Sequence, residues 1–184
     1  MNVLGIDPSL TGTGLAMHRP LMRESWTVAQ IKTKAPKVAS HRASLNRLTH
    51  IVREAAAFAD SAPDLVVMEG PAFSSGVGRV HERAGLWWFL FNHFAGEVGL
   101  PVLVVAPNLR AKYATGRGNA GKDEVMIAAV RRYSDVPITE NNTADAVILA
   151  AMGARLYGHP IEPSLPSANM AAMRTLSIPH LVET

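Results

Sequence analysis

Two short apolar runs in this chain each end on a carboxylate, a pattern that few architectures accommodate. Val3-Leu4-Gly5-Ile6 runs into Asp7, and Leu65-Val66-Val67-Met68 runs into Glu69. Runs of this length, bounded by turn residues, read as buried strands. Their terminal carboxylates then project at a sheet edge. An ionised group there needs a partner, because an unpaired buried charge is costly.

The segments between them set the architecture. After Asp7 comes a turn-rich stretch, Pro8-Ser9-Leu10-Thr11-Gly12-Thr13-Gly14, which reads as a hairpin. Residues 2–7, 13–18 and 25–33 read as three meandering strands. From Ser40, a candidate N-cap, apolar residues recur at Leu45, Leu48, Ile51, Val52, Ala55 and Phe58 with helical spacing. A strand at 65–69, a helix over 80–98, a strand at 102–106 and a helical turn over 107–113 follow. Residues 115–121 form a Gly-rich loop, and helices are expected over 122–133 and 143–157. The later β–α–β steps allow right-handed parallel crossovers. The expected fold class is α/β, a mixed five-stranded sheet flanked by helices. Strand 1 beside strand 4 would bring Asp7 and Glu69 together. Residues 1–158 read as one domain. Residues 159–184, with Pro160, Pro163, Pro166 and Pro179, read as an irregular tail.

Composition narrows the class. The 184 residues, 48% hydrophobic, suffice for a real core and argue against disorder. With no cysteine, disulfides and thiolate metal sites are excluded. No apolar run reaches the roughly 18–20 residues of a membrane span, and no signal-peptide pattern precedes the first strand. A soluble intracellular protein is expected. Net charge is only +3, but residues 19–53 carry eight Lys/Arg against Glu24, and residues 107–133 carry six against Asp123 and Glu124. Such segregation suits a polyanion, although ordinary solvated faces produce it too.

A third acid joins the first two. Asp145 lies in the first turn of the apolar helix that follows Asn142-Thr143. Each acid has a simpler reading: Asp7 as a turn former, Glu69 as the partner of an arginine, Asp145 as a helix-start residue favoured by the dipole. Together they form a candidate site for Mg²⁺ or Mn²⁺, which favour oxygen ligands. The segment Thr115-Gly116-Arg117-Gly118-Asn119-Ala120-Gly121-Lys122 adds glycines that let backbone approach a phosphate, flanked by cations. It is not a P-loop, because Asp123 follows Lys122. The seven histidines are scattered and read as surface or internally satisfied residues.

Taken in order, Gly5-Ile6-Asp7-Pro8 with Gly12-Thr13-Gly14, Met68-Glu69, Gly116 to Lys122, and Ala144-Asp145-Ala146 make the chain resemble the RuvC family of Holliday-junction resolvases, within the RNase H-like superfamily. The resemblance implies an RNase H-like fold and a Mg²⁺-dependent endodeoxyribonuclease, with Mn²⁺ able to substitute. It also implies a homodimer that nicks four-way and other branched DNA in pairs, leaving 5′-phosphate ends. Asp7, Glu69 and Asp145 would be metal ligands on two ions, and Lys122 would act near the scissile phosphate. Asn142 stands where the family often has an Asp or His ligand and is expected to be a further metal ligand through its amide oxygen; Glu140 is nearby but out of register. Lys112 loosely matches a second family lysine. Phe73 is the candidate for an aromatic wedge in the junction. Arg79, Lys112, Arg117, Asn119 and Lys122 are expected DNA contacts. The implied setting is the cytoplasm, that of a host if the chain is phage-encoded, as the Gly-rich basic segment suggests. Three alternatives remain open: a catalytically weakened junction-binding protein, a nuclease of structured RNA, and an actin- or sugar-kinase-like ATP-binding domain.

Overall fold

The computed structural model describes residues 1–38, 40–59, 63–71 and 79–179. Five strands form one mixed sheet: β1 (Val3–Asp7), β2 (Gly12–His18), β3 (Trp26–Lys32), β4 (Leu65–Glu69) and β5 (Val102–Val105), in the order β3-β2-β1-β4-β5. The first three are antiparallel neighbours, whereas β1, β4 and β5 run parallel. The expected adjacency of strands 1 and 4 is therefore present, and Gly5 pairs with Val67 and Ile6 with Met68.

The alternation of side chains along β1 and β4 divides the core in two. Leu4, Ile6, Val66 and Met68 pack with α1 (His41–Phe58) and α2 (Val80–Phe91). Val3, Leu65 and Val67 pack on the opposite face with α3 (Pro107–Thr115), α4 (Lys122–Arg132) and α5 (Asn141–Leu156). Asp7 and Glu69 share the parity of Val3 and Val67, so both carboxylates point to the α5 face.

Helix α5 lies unusually close to the sheet. A Cβ on Gly5 would overlap the carbonyl oxygen of Ala146, and one on Gly14 would overlap that of Asn142. On the helix side, Gly153 faces Val67, Leu65 and Val3 with no room for a methyl group. Positions 142, 146, 150 and 153 follow one helical stripe. The helix is buried from Thr143 to Ala154, as its nearly continuous apolar sequence requires.

Boundaries differ from expectation in instructive ways. Ser40 caps α1 by accepting a hydrogen bond from the Ala43 amide at 3.1 Å, as its type predicts. Helix α5 begins at Asn141, two residues early, with Glu140 at the cap position and no side-chain cap bond. Asn141, Asn142 and Thr143, residue types that favour an N-cap, lie instead inside the first turn, where α5 rests on β2. The segment after α2 continues as π-helix over Asn92–Glu97. His18 departs from a surface or satisfied role: it is buried against Trp26, and its Nδ1 has no partner among the described residues.

Among the described residues, the Pro-rich segment 159–179 is mostly irregular but not loose. It contains a short helix, α6 (Ser167–Met170), and is anchored by Glu162. That buried carboxylate accepts hydrogen bonds from Tyr113 Oη at 3.0 Å, from Arg155 Nη2 at 3.1 Å, and from Tyr133 Oη. Asn169 Nδ2 donates to the Tyr113 carbonyl at 2.8 Å. The tail is thus tied to α3.

The close approach of α5 generates a test. Gly5→Ala must push backbone against backbone, and its cost should be about 1–3 kcal/mol or more, as for overpacked cores. A Cβ at Gly121 meets nothing within 4 Å, so Gly121→Ala should cost no more than about 1 kcal/mol, the margin by which Ala is the poorer N-cap. Urea denaturation of both variants measures the difference.

Candidate active site

The three acids meet at one end of the sheet. Asp7 ends β1 and Glu69 ends β4, at matching levels of adjacent parallel strands. Asp145 opens the second turn of α5, between Asn142 and Ala146, the residues that Gly14 and Gly5 face. One carboxylate oxygen from each lies within 4.8 Å of the others. Asp7 and Asp145 are buried, and Glu69 is partly so.

Strand ends are fixed on every side. Asp7 pairs with Gly14 across β2. The Glu69 carbonyl accepts a hydrogen bond from Trp87 Nε1 at 2.9 Å, while the Gly70 amide donates to the Val105 carbonyl at 2.8 Å. The turn beyond Asp7 is held by Arg47, whose Nη2 donates to the Leu10 carbonyl at 2.5 Å and whose Nε donates to Thr33 Oγ1 at 2.8 Å. Thr13 Oγ1 closes that turn onto the Ser9 carbonyl at 2.7 Å.

A cation of the chain sits among the acids. Arg110, on α3, donates from Nε to Glu69 Oε2 at 2.6 Å and from Nη1 to Asp145 Oδ1 at 2.5 Å. The arginine partner weighed for Glu69 is thus real, and it binds a second acid as well. Burial is the main influence on Asp145, raising its pKa to about 6; Arg110 lowers it and Glu69 raises it. Asp7 is likewise held well above the usual carboxylate range, first by burial and then by the charges of Glu69 and Asp145. Lys122, exposed at the start of α4, favours the ionised form of both.

The other expected site residues are distributed around this centre. Asn142 donates from Nδ2 to the Gly12 carbonyl, so only its Oδ1 could serve a cation. Glu140 lies outside the carboxylate cluster, paired with Lys32 Nζ at 2.8 Å. Lys112 is two residues beyond Arg110, about 200° around the helix, so the residue of α3 that reaches the acids is Arg110. Arg117 and Asn119 are exposed on the Gly-rich loop, with Arg117 Nη2 2.5 Å from Glu124 Oε1. The Gly121 amide donates to Glu124 Oε2 at 2.9 Å, fixing the start of α4 beside Lys122. Arg79 opens α2 in a left-handed conformation (φ 38°) and pairs with Glu82 at 2.8 Å. Phe73 lies outside the described residues.

Sequence reading missed Arg110 as a site residue. The available signal was its place on the buried face of α3: Arg110, Tyr113 and Ala114 follow an i, i+3, i+4 pattern, and all are buried. An arginine on such a face needs internal hydrogen-bond acceptors, and a carboxylate is the strongest of them.

Comparison with known proteins places the chain among relatives of one kind. No family model matches the chain. It is 29% identical over 157 residues to the crossover junction endodeoxyribonuclease RuvC of Synechococcus sp. (strain WH7803), covering 83% of this chain and 97% of the relative. It is 31% identical over 153 residues to the protein of that name from Corynebacterium efficiens, covering 82% and 67% respectively. Among solved structures, Thermus thermophilus RuvC superposes with a TM-score of 0.65 at 22% identity, covering 86% of this chain and 98% of that one. The same protein in complex with a Holliday junction substrate also gives 0.65, at 21% identity. These structural likenesses establish a shared fold.

The raised carboxyl of Asp145 has a thermodynamic consequence. The folded protein holds this proton to about pH 6, whereas the unfolded chain releases it near pH 3.8. Its contribution to stability is therefore fully present below pH 3.8 and is lost as pH rises through 6. Asp145→Asn, neutral throughout, should gain on the parent by on the order of 1–3 kcal/mol between these limits, without divalent ions. Urea midpoints of both proteins across that range measure the gain. A difference independent of pH would contradict it.

Proposed function

This chain belongs to the RuvC family of crossover junction endodeoxyribonucleases, and from that premise we propose how its own residues carry the reaction. It is a structure-selective endonuclease that resolves DNA junctions in recombination and repair. The observation that supports a specific site is the convergence of Asp7, Glu69 and Asp145, from β1, β4 and α5, onto one point at the end of the sheet.

The donor set fits a hard divalent cation. All three groups offer carboxylate oxygens, the ligand class preferred by Mg²⁺ and Mn²⁺. Oxygens sharing one such ion lie up to about 4.2 Å apart, a span that small side-chain rotations reach from 4.8 Å. Mg²⁺ is the proposed cofactor, with Mn²⁺ able to replace it. A divalent ion held there supplies Lewis-acid charge to a phosphate and a water of lowered pKa.

The remaining residues bind and orient. Lys122 carries an exposed ammonium whose field reaches Asp7 and Asp145, a position suited to charge developing on a scissile phosphate. The Gly-rich loop before α4 brings backbone close to DNA, and Arg117 and Asn119 are proposed phosphate contacts, with Lys112 and Arg79 further out. The basic stretch over residues 19–53 would hold junction arms, making affinity strongly salt-dependent. Helix α2 exposes Trp88 and Phe89 side by side, an apolar surface of the kind that seats a second copy. A homodimer is proposed on that basis, giving one site for each paired nick.

Asp7→Asn, Glu69→Gln and Asp145→Asn should each slow four-way-junction cleavage in Mg²⁺ by on the order of 10³-fold or more. Junction affinity should change little, since phosphate contacts lie elsewhere. Lys122→Ala should slow cleavage more than it weakens binding. Single-turnover cleavage beside gel-shift titration reads both quantities. Near-parental nicking by any carboxylate variant removes that residue from the metal site.

A further inference from the structure

Arg110 is the part of the site that the proposed chemistry does not use. Its side chain is 8% exposed and contacts two of the three acids, Glu69 and Asp145. A fixed element delivers it. The C-terminal half of α3 is pinned by Arg132, whose Nη1 and Nη2 donate to the Tyr113 and Ala114 carbonyls at 3.1 and 2.6 Å. Asn169 Nδ2 adds a third bond to the Tyr113 carbonyl. The guanidinium is therefore held among the acids by a helix clamped from two directions.

An arginine cannot vacate such a place by losing its proton. A divalent cation must instead compete with it for the oxygens of Glu69 and Asp145. The guanidinium fork does have an equivalent partner on the substrate, because a phosphate presents two oxygens in the same bidentate geometry as a carboxylate.

We propose that Arg110 is a built-in competitor for the divalent metal: it occupies Glu69 and Asp145 in the DNA-free protein, holds cation affinity low, and transfers to a DNA phosphate when substrate arrives. The proposal rests on the reading of the three carboxylates as the metal site. Cation loading then follows DNA binding, which ties cleavage to an engaged junction. Arg110 is on this view a positioning residue, acting through the carboxylates it covers.

Mn²⁺ binding to the DNA-free protein, followed by electron paramagnetic resonance of the free ion, tests this without reference to cleavage. Arg110→Met removes the charge, keeps the apolar stem and adds no oxygen ligand. It should bind Mn²⁺ more tightly than the parent by on the order of tenfold or more, the scale on which a charge at this range alters a carboxylate's affinity for a cation. Its melting temperature should also rise more on adding Mg²⁺. Equal Mn²⁺ affinity in the two proteins would overturn the proposal and leave the metal site standing. No saturable Mn²⁺ binding in either protein would overturn both. Should Arg110→Met fail to fold, the Arg110 Nε–H resonance of the parent serves instead. It should shift saturably with Mg²⁺ in the absence of DNA, as the bond to Glu69 is displaced. A resonance indifferent to Mg²⁺ while Mn²⁺ binds would overturn the proposal.

Discussion

The contact between helix α5 and strands β1 and β2 is the constraint on which the rest of the structure depends. Gly5 and Gly14 allow the helix backbone to rest directly on the strands, and Gly153 does the same beside β4. Any side chain at these places would lift α5 away. Asp145 would then leave the ends of β1 and β4, and Arg110 would lose one of its two acids. Three residues far apart in sequence are brought together by a helix–sheet distance that only glycine permits.

That closeness has an electrostatic cost, and the fold offsets it locally. Three carboxylates near one point, two of them buried, repel one another and are poorly solvated. The result is visible in Asp7 and Asp145, both of which favour the protonated form more than free carboxyls do. Arg110 supplies the internal compensation and Lys122 a more distant one. The buried Glu162 follows a related logic: tyrosine hydroxyls and Arg155 satisfy it, and it in turn fixes the α3 helix that carries Arg110. Sites that gather like charges bind cations well for the same reason that they burden stability without them.

Much of this was legible in the sequence. The acids at the ends of two apolar runs announced buried strands tipped with carboxylates, and side-chain alternation places them on one face. Element order gave the mixed sheet, and Ser40 behaved as its type predicts. The rest depended on tertiary contact. Helix α5 begins early, with its first turn resting on β2, where a local cap rule looks only at neighbouring residues. Asn142 bonds to the Gly12 carbonyl, a partner 130 positions away. Arg110 was counted in a basic stretch although it points inward, since charge counts carry no direction. The anchoring of the segment after residue 158 by Glu162 required the aromatic partners on α3 and beyond α4 to be in place. Phe73 lies outside the described residues.

Anomalous scattering from crystals grown or soaked in Mn²⁺ tests the central claim most directly, namely that α5 packing assembles one cation site from Asp7, Glu69 and Asp145. The account predicts an anomalous peak within about 2.0–2.3 Å of an oxygen from each of the three carboxylates. A peak that engages other residues, or none at this end of the sheet under saturating Mn²⁺ with junction DNA bound, would contradict it.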